Sequence, residues 1–341
     1  VKIGIVNDKP AAVDVLRKAL AVEPDLQVAW VAFNGAEALH RCATARPDIV
    51  LMDLAMPVMD GGEATRRIMA DTPCAIIIVA TGVEDQTARV FDAMGHGALD
   101  AIEIPALADQ DPRAVAAPLL RKIRNVGWLI GAYDRQRAAP PAPATEPAAP
   151  ARRQLVAIGA SAGGPPSLAV LLKALPADFP AGIVLVQHVD ATFARDMARW
   201  LDDQIAMPVR LAVPGDTPLP GSVLLAGTND HLVLLHDGTL NYTRQPEEGL
   251  YRPSIDVFFN SVARQWRGDA AGVLLTGMGR DGALGLKAMR DSGFLTIAQD
   301  RATSAVYGMP KAAAELGAAT EITPLPRIAE SLAGRFARKP A

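Results

Sequence analysis

The side chain with the most chemical potential in this sequence is Ser161, set in Gly159-Ala160-Ser161-Ala162-Gly163-Gly164. An apolar run, LVAIGA, leads into it, and Pro165-Pro166 and the helical SLAVLLKAL come after. The pattern reads as a strand-to-helix turn, and such a turn supports two chemistries. Its glycines and helix-start N–H groups can cradle a phosphate, although the full GxGxxG is absent. Equally, the central serine can be a nucleophile presented outward, with the same N–H groups placed to hold an oxyanion. The turn alone leaves both readings open.

A serine hydroxyl is a weak nucleophile until a base within hydrogen-bond reach takes its proton, and histidine suits that task near neutral pH. The chain has 5 histidines. His40 falls in a helical pattern, His96 in a helix-to-strand loop, and His231 and His236 in a hairpin region, where each reads most simply as a surface or structural residue. His188 alone comes after a fully apolar run, GIVLVQ, expected beside the strand of Ser161. The plainer alternative for it is a strand-end histidine satisfied by its neighbours. A triad also needs a carboxylate to fix the imidazole tautomer. Asp281, in GMGRDGALG after the run AGVLLTGM, reaches the same edge, with Asp190, Asp256 and Asp300 as weaker candidates.

A second cluster lies near the N-terminus. Asn7 and Asp8 end the first apolar run and Asp53 ends the third. Carboxylates at neighbouring strand ends suit Mg²⁺, a hard ion that takes oxygen ligands and keeps waters for an incoming phosphate. Either residue alone could as well cap the helix after it.

These residues need two scaffolds. KIGIV, LQVAWVA, DIVLMD, AIIIVA and ALDAIEI alternate with AAVDVLRKALA, GAEALHRCAT and GGEATRRIMAD, which carry helical spacing. Strands alternating with helices give a doubly wound parallel sheet whose functional residues gather at the strands' carboxyl ends. Beyond residue 153, LVAIGAS, GIVLVQHV, VRLAV, SVLLAG, AGVLLTGM and FLTIAQD again read as strands, and LVLLHDGTLNYTR as a hairpin turning at Asp237-Gly238. The expected class is α/β with two such sheets, a flavodoxin-like domain over residues 1–131 and a Rossmann-like domain over 154–338. Residues 132–153 read as an extended linker, because from Arg135 to Arg153 the chain is proline- and alanine-rich with nothing large to bury.

Composition sets limits on function. With 341 residues, 50% hydrophobic content and a net charge of −3, the chain is ordinary globular material without the basic excess a nucleic-acid partner requires. Cys42 and Cys74 have no metal-ligand spacing and read as free thiols of a reducing compartment. No apolar stretch is long enough to cross a membrane, and Asp8 interrupts any signal-peptide core, so the expectation is a cytoplasmic protein with no direct membrane insertion.

Two resemblances sharpen these readings. LMDLAMPVMDG, Leu51 to Gly61, resembles the phosphoacceptor loop of response-regulator receiver domains. The resemblance implies phosphoryl transfer from a histidine kinase onto Asp53, with Mg²⁺ held by Asp8, Asp53 and the carbonyl of Ala55. This chain departs from the receiver pattern at Asn7 (usually acidic), Ala80 (usually Ser or Thr, with Thr81 one position late) and Ile104 before Pro105 (usually Lys), which predicts a weak or rewired switch.

IGASAGG, QHV, RPSID, LLTGMGRDGALG and QDRATSAVYGMPKAA are similar to the signatures of the chemotaxis protein-glutamate methylesterases, the CheB family, and KIGIVNDKP with VAWVAFNGAEAL looks especially like the WspF subgroup. That likeness implies Ser161 as nucleophile, His188 as base then acid, Asp281 as orienter and the Met278 N–H as oxyanion donor. It also implies glutamate methyl ester hydrolysis and glutamine deamidation on a methyl-accepting chemoreceptor, a CheA-type kinase partner and no cofactor in the second domain. Ala162 stands where the family commonly has threonine, so the alternative is a phospho-regulated binding module with a decayed hydrolase site. The linker is long enough to predict a receiver that, unphosphorylated, inhibits by covering the entrance to Ser161.

Overall fold

In a computed structural model, residues 1–80, 87–104, 112–132, 153–247 and 251–336 are described. Thr81, Pro105 and the linker residues 133–152 of the sequence reading lie outside them. The chain divides into two compact units, Val1–Arg135 and Gln136–Ala341.

The strands of the first unit are β1 (Lys2–Val6), β2 (Gln27–Ala32), β3 (Ile49–Met52), β4 (Ala75–Ala80) and β5 (Asp100–Glu103). They form a parallel 5-stranded sheet in the order β2-β1-β3-β4-β5. Parallel strands are covered on both faces, so they read as unbroken apolar runs, and every residue of β3 and β4 is buried. Ile5, Leu51 and Ile77 pack with Leu16 of the helix Pro10–Leu20 and Leu119 and Ile123 of the helix Pro112–Leu129. Strand order reverses between β1 and β3, the place where ligands bind such sheets, and Asp8 and Asp53 come just after those two strands.

The second unit contains β6 (Gln154–Ala160), β7 (Gly182–Gln187), β8 (Val209–Leu211), β9 (Val223–Leu225), β10 (His231–Leu234), β11 (Leu240–Thr243), β12 (Asp269–Leu274), β13 (Leu295–Gln299) and β14 (Glu321–Thr323). Seven of these form a parallel sheet, β14-β13-β12-β6-β7-β9-β8, while β10 and β11 pair as an antiparallel hairpin. Burial of Phe258, Phe259, Leu286 and Met289 fixes the helices Ile255–Gln265 and Ala283–Asp291 over one sheet face. Strand β6 lies between β7 and β12, so the loops leaving these three strands meet at one carboxyl edge.

Candidate active site

Ser161 comes directly after β6, and its turn is held open by backbone geometry. Gly163 has φ 74° and is the N-cap of the helix Gly164–Lys173, a left-handed conformation that suits glycine. Ser161 N–H donates to Thr276 O at 3.0 Å, and Gly164 N–H donates to Ser161 O at 2.8 Å. Thr276 Oγ1 donates to the Ala162 carbonyl at 2.9 Å, and Gln187 Nε2 donates to the Ser161 carbonyl at 2.9 Å. The carbonyls of Ser161 and Ala162 are thereby tied to the strands on either side.

Register delivers the base. Ala160 pairs with Gln187 across the parallel strands β6 and β7, so Ser161 and His188 leave adjacent strands at the same level, about 4.8 Å apart by sheet spacing. His188 Nε2 lies 2.7 Å from Asp281 Oδ2. A carboxylate only accepts, so Nε2 carries the proton and Nδ1 keeps its lone pair. Nδ1 is buried and has no hydrogen-bond partner among the described residues. No hydrogen bond joins Ser161 Oγ to His188 among the described residues, and Nδ1 keeps its acceptor capacity unused. The ring of Tyr251 stacks on the imidazole with centroids 4.5 Å apart and planes 14° from parallel.

Asp281 is held on four sides. Besides His188, it accepts from Ser254 Oγ at 2.8 Å, from Ile255 N–H at 2.7 Å and from Asp256 N–H at 3.1 Å. The last two are the first amides of the helix Ile255–Gln265, whose N-cap is Ser254, so the carboxylate sits at the positive end of a helix. Burial works against its charge, but the His188 bond and the helix amides outweigh burial and hold Asp281 below the ordinary carboxylate range. Asp256, next to it, goes the other way: burial and then the Asp281 charge push it up to about 7.

Over the serine runs Gly277-Met278-Gly279, in the loop after β12. A Cβ on Gly277 would lie 2.7 Å from Ser161 Cβ and 2.3 Å from Met309 Sδ, so only glycine permits this approach. Gly277 N–H donates to Val306 O, whereas the Met278 N–H enters no backbone hydrogen bond among the described residues and is available to a ligand. A histidine with a lone pair free, a carboxylate bonded to its other nitrogen, a serine on the next strand and a backbone N–H without an internal partner are groups that acyl transfer can use.

Comparison with known proteins settles the family. Residues 156–332 match the family described as CheB methylesterase, and residues 3–110 match the response regulator receiver domain. The chain is 63% identical to protein-glutamate methylesterase/protein-glutamine glutaminase 3 of Pseudomonas aeruginosa, over 98% of this chain and 99% of that one. It belongs to the CheB methylesterase family. A second relative, protein-glutamate methylesterase/protein-glutamine glutaminase 2 of Pseudomonas syringae pv. syringae, is 64% identical over 97% of this chain and 98% of that one. Among solved structures, the Thermotoga maritima CheB methylesterase catalytic domain superposes with a TM-score of 0.51 at 33% identity, covering 53% of this chain and 97% of that one.

In the receiver of this CheB-family chain, Asp53 is fully buried and Asn7 Nδ2 donates to its Oδ2 at 3.0 Å. Burial is the main influence raising the Asp53 carboxyl above the usual range; the N–H groups of Ala55 and Leu54 and the charge of Lys9 oppose it, and the Asp8 charge adds to it. Asp8 Oδ1 is buried without a partner among the described residues. A buried carboxyl raised by its neighbour's charge, with an orphaned oxygen on that neighbour, is a donor set that fits a divalent cation. Ala80 is buried and Ile104 packs on the core, so both departures from the receiver pattern present apolar groups here.

Three residues that contact Ser161, His188 or Asp281 were not singled out by the sequence. Ser254 and Tyr251 lie in and beside RPSID, a motif noticed only as a family signature, and their contacts with Asp281 and His188 become visible only when the helix start folds over the sheet edge. Gln187 is fully buried, and a buried amide closing an apolar strand was the signal available for it.

Proposed function

We propose that the chain hydrolyses γ-methyl esters of glutamate side chains on a methyl-accepting chemoreceptor, with Ser161, His188 and Asp281 as its catalytic residues. His188 Nδ1 takes the Ser161 Oγ proton as Oγ bonds to the ester carbonyl carbon. The Met278 N–H receives the developing oxyanion, and Asp281 holds the imidazolium that forms. Collapse breaks the bond to the methoxy oxygen, which leaves as methanol with the proton from His188. A water then gives its proton to His188 and attacks the acyl-serine, releasing glutamate and restoring Ser161. A glutamine side chain would take the same path with ammonia as the leaving group. The observation that carries this reading is the 2.7 Å His188–Asp281 contact on the strand next to Ser161.

The receiver regulates that activity in the same reading. Asp53 accepts a phosphoryl group from a histidine kinase of the CheA type, with Asp8, Asp53 and the Ala55 carbonyl as the residues that would hold Mg²⁺. The ion would neutralise charge on the phosphoryl oxygens. Methanol release from methylated receptor membranes tests the enzyme, with Ser161→Ala as the control. That substitution should abolish release while the far-UV circular dichroism stays unchanged. Release near the wild-type rate in Ser161→Ala would remove the serine from the mechanism.

A further inference from the structure

Of the two expectations for His231, surface or structural, the fold shows the second: it is 1% exposed and both of its ring nitrogens are engaged. Ser254 N–H donates to His231 Nδ1 at 3.0 Å, and His231 Nε2 lies 3.0 Å from the Pro246 carbonyl. A backbone N–H can only donate and a carbonyl can only accept. The tautomer is therefore fixed: Nδ1 holds a lone pair and Nε2 holds the proton. The same Ser254 gives its hydroxyl to Asp281 Oδ1 at 2.8 Å, while Oδ2 meets His188 at 2.7 Å and accepts from Ile255 N–H at 2.7 Å.

We propose that His231 is a positioning residue of the hydrolase site, acting through Ser254 to fix the Asp281 carboxylate against His188. The proposal rests on the assignment of His188 and Asp281 to catalysis. It differs from a simple packing role in one respect, because the link fails when His231 gains a proton. A protonated Nδ1 would face the Ser254 N–H donor to donor, and Ser254 could no longer stay where its hydroxyl meets Asp281. Several groups surround the ring. Burial lowers its affinity for the proton, the Pro246 carbonyl raises it, Arg252 lowers it, and Asp281 and Asp230 raise it. Arg252 itself is bound to Asp230 at 3.0 Å, with Arg244 at 3.8 Å on its other oxygen, so much of the Asp230 charge is compensated. The Ser254 N–H on Nδ1 and the burial of the ring both favour its neutral form, and acid is the condition that would break the link.

Two substitutions separate the ring's two contacts in the full-length protein. Asn at 231 places an oxygen near the Nδ1 position and keeps an acceptor for Ser254, whereas Gln reaches only the Nε2 position. With methylated receptor membranes as substrate, His231→Gln should lower kcat by about 10-fold to 100-fold with KM within about two-fold, the loss of one buried hydrogen bond. His231→Asn should keep kcat within about three-fold of wild type. Log kcat should fall more steeply in acid in the wild type than in His231→Asn, because only the wild type carries the proton-sensitive link at His231. Imidazole ¹⁵N spectra of the same proteins should show the Nε2–H tautomer at His231 and a displaced His188 Nε2–H resonance in His231→Gln, reporting a changed bond to Asp281. Wild-type kcat in His231→Gln, equal losses in both variants, or an unchanged acid slope in His231→Asn would overturn the proposal. Should Ser161→Ala keep its activity, the catalytic assignment falls instead, and the ¹⁵N spectra still decide whether His231 aligns the Asp281–His188 pair.

Discussion

Asp256 offers a way to measure the electrostatics of this site without any substrate. Its carboxyl is largely buried, accepts from Gly285 N–H at 2.7 Å, and lies against the ionised Asp281. Burial first and the Asp281 charge second push it up to about 7, while the N–H groups of Gly285, Gly282 and Leu284 pull the other way. In the unfolded chain the same carboxyl titrates near 4. Below about pH 4 it is protonated in both states and costs nothing. As pH rises, the unfolded chain releases the proton first, so stability is lost progressively until about pH 7 and then levels off. The full difference amounts to roughly 4 kcal/mol, and relaxation around a partly hydrated carboxyl brings it to roughly 2–4 kcal/mol. His231 contributes with the opposite sign. Burial lowers it, so its contribution is present above its unfolded value of about 6.5 and is lost as pH falls through its folded value. The two slopes overlap in the wild type, and the substitution Asp256→Asn isolates one of them. It removes the charge and keeps an oxygen for Gly285. Thermal unfolding of wild type and Asp256→Asn, monitored from about pH 4.5 to about pH 8, should show the variant gaining roughly 5–10 °C relative to wild type across that interval. A difference in melting temperature that stays constant over this range, or shrinks, would show that Asp256 does not carry the mutual repulsion with Asp281.

The geometry fixes three further outcomes. Asp281→Asn should lower kcat for methanol release by about 10³-fold to 10⁴-fold, because the amide cannot hold the His188 tautomer and all of its helix amides at once; unchanged turnover would move the orienting role to another aspartate. Gly277→Ala should cost at least about 100-fold in kcat, since the added methyl group meets Ser161 Cβ and Met309 Sδ and displaces the nucleophile; an active Gly277→Ala would place the serine elsewhere. Acetyl phosphate with Mg²⁺ should label the wild-type receiver and raise methanol release, with both effects absent in Asp53→Asn; label that persists in that variant would mean another acceptor.

Legibility in the sequence tracked burial. β3, β4, β6 and β7 stood out as unbroken apolar runs because both of their faces are covered. β14, Glu321–Thr323, went unread: it is a three-residue edge strand whose one apolar side chain, Ile322, is 52% exposed, so no period marks it. The positions of Ser161, His188 and Asp281 were readable because each comes after such a run at the same edge. What no spacing could convey is which ring nitrogen of His188 faces Asp281, or that Asp281 is seated on the start of a helix that begins 26 residues earlier. Those details depend on how a hairpin and a helix fold over the sheet, and the local sequence around each residue is silent about it. His231 illustrates the same limit, since the hairpin pattern gave no sign that one face would be pressed against the helix cap.

The proposed hydrolase site is contributed by chain segments far apart in sequence, with His188 and Asp281 lying 93 positions apart. Ser161 and His188 leave paired strands joined by a single helix, but Asp281 reaches them only by loop closure over a long stretch of chain, which comes late and slowly. Turnover should then be the last property to return when the protein is diluted out of denaturant, after helical signal and compaction. During synthesis the chain should likewise stay silent until the stretch around Asp281 has left the ribosome and found β6, so a nascent or truncated copy holds its nucleophile in a form that cannot act.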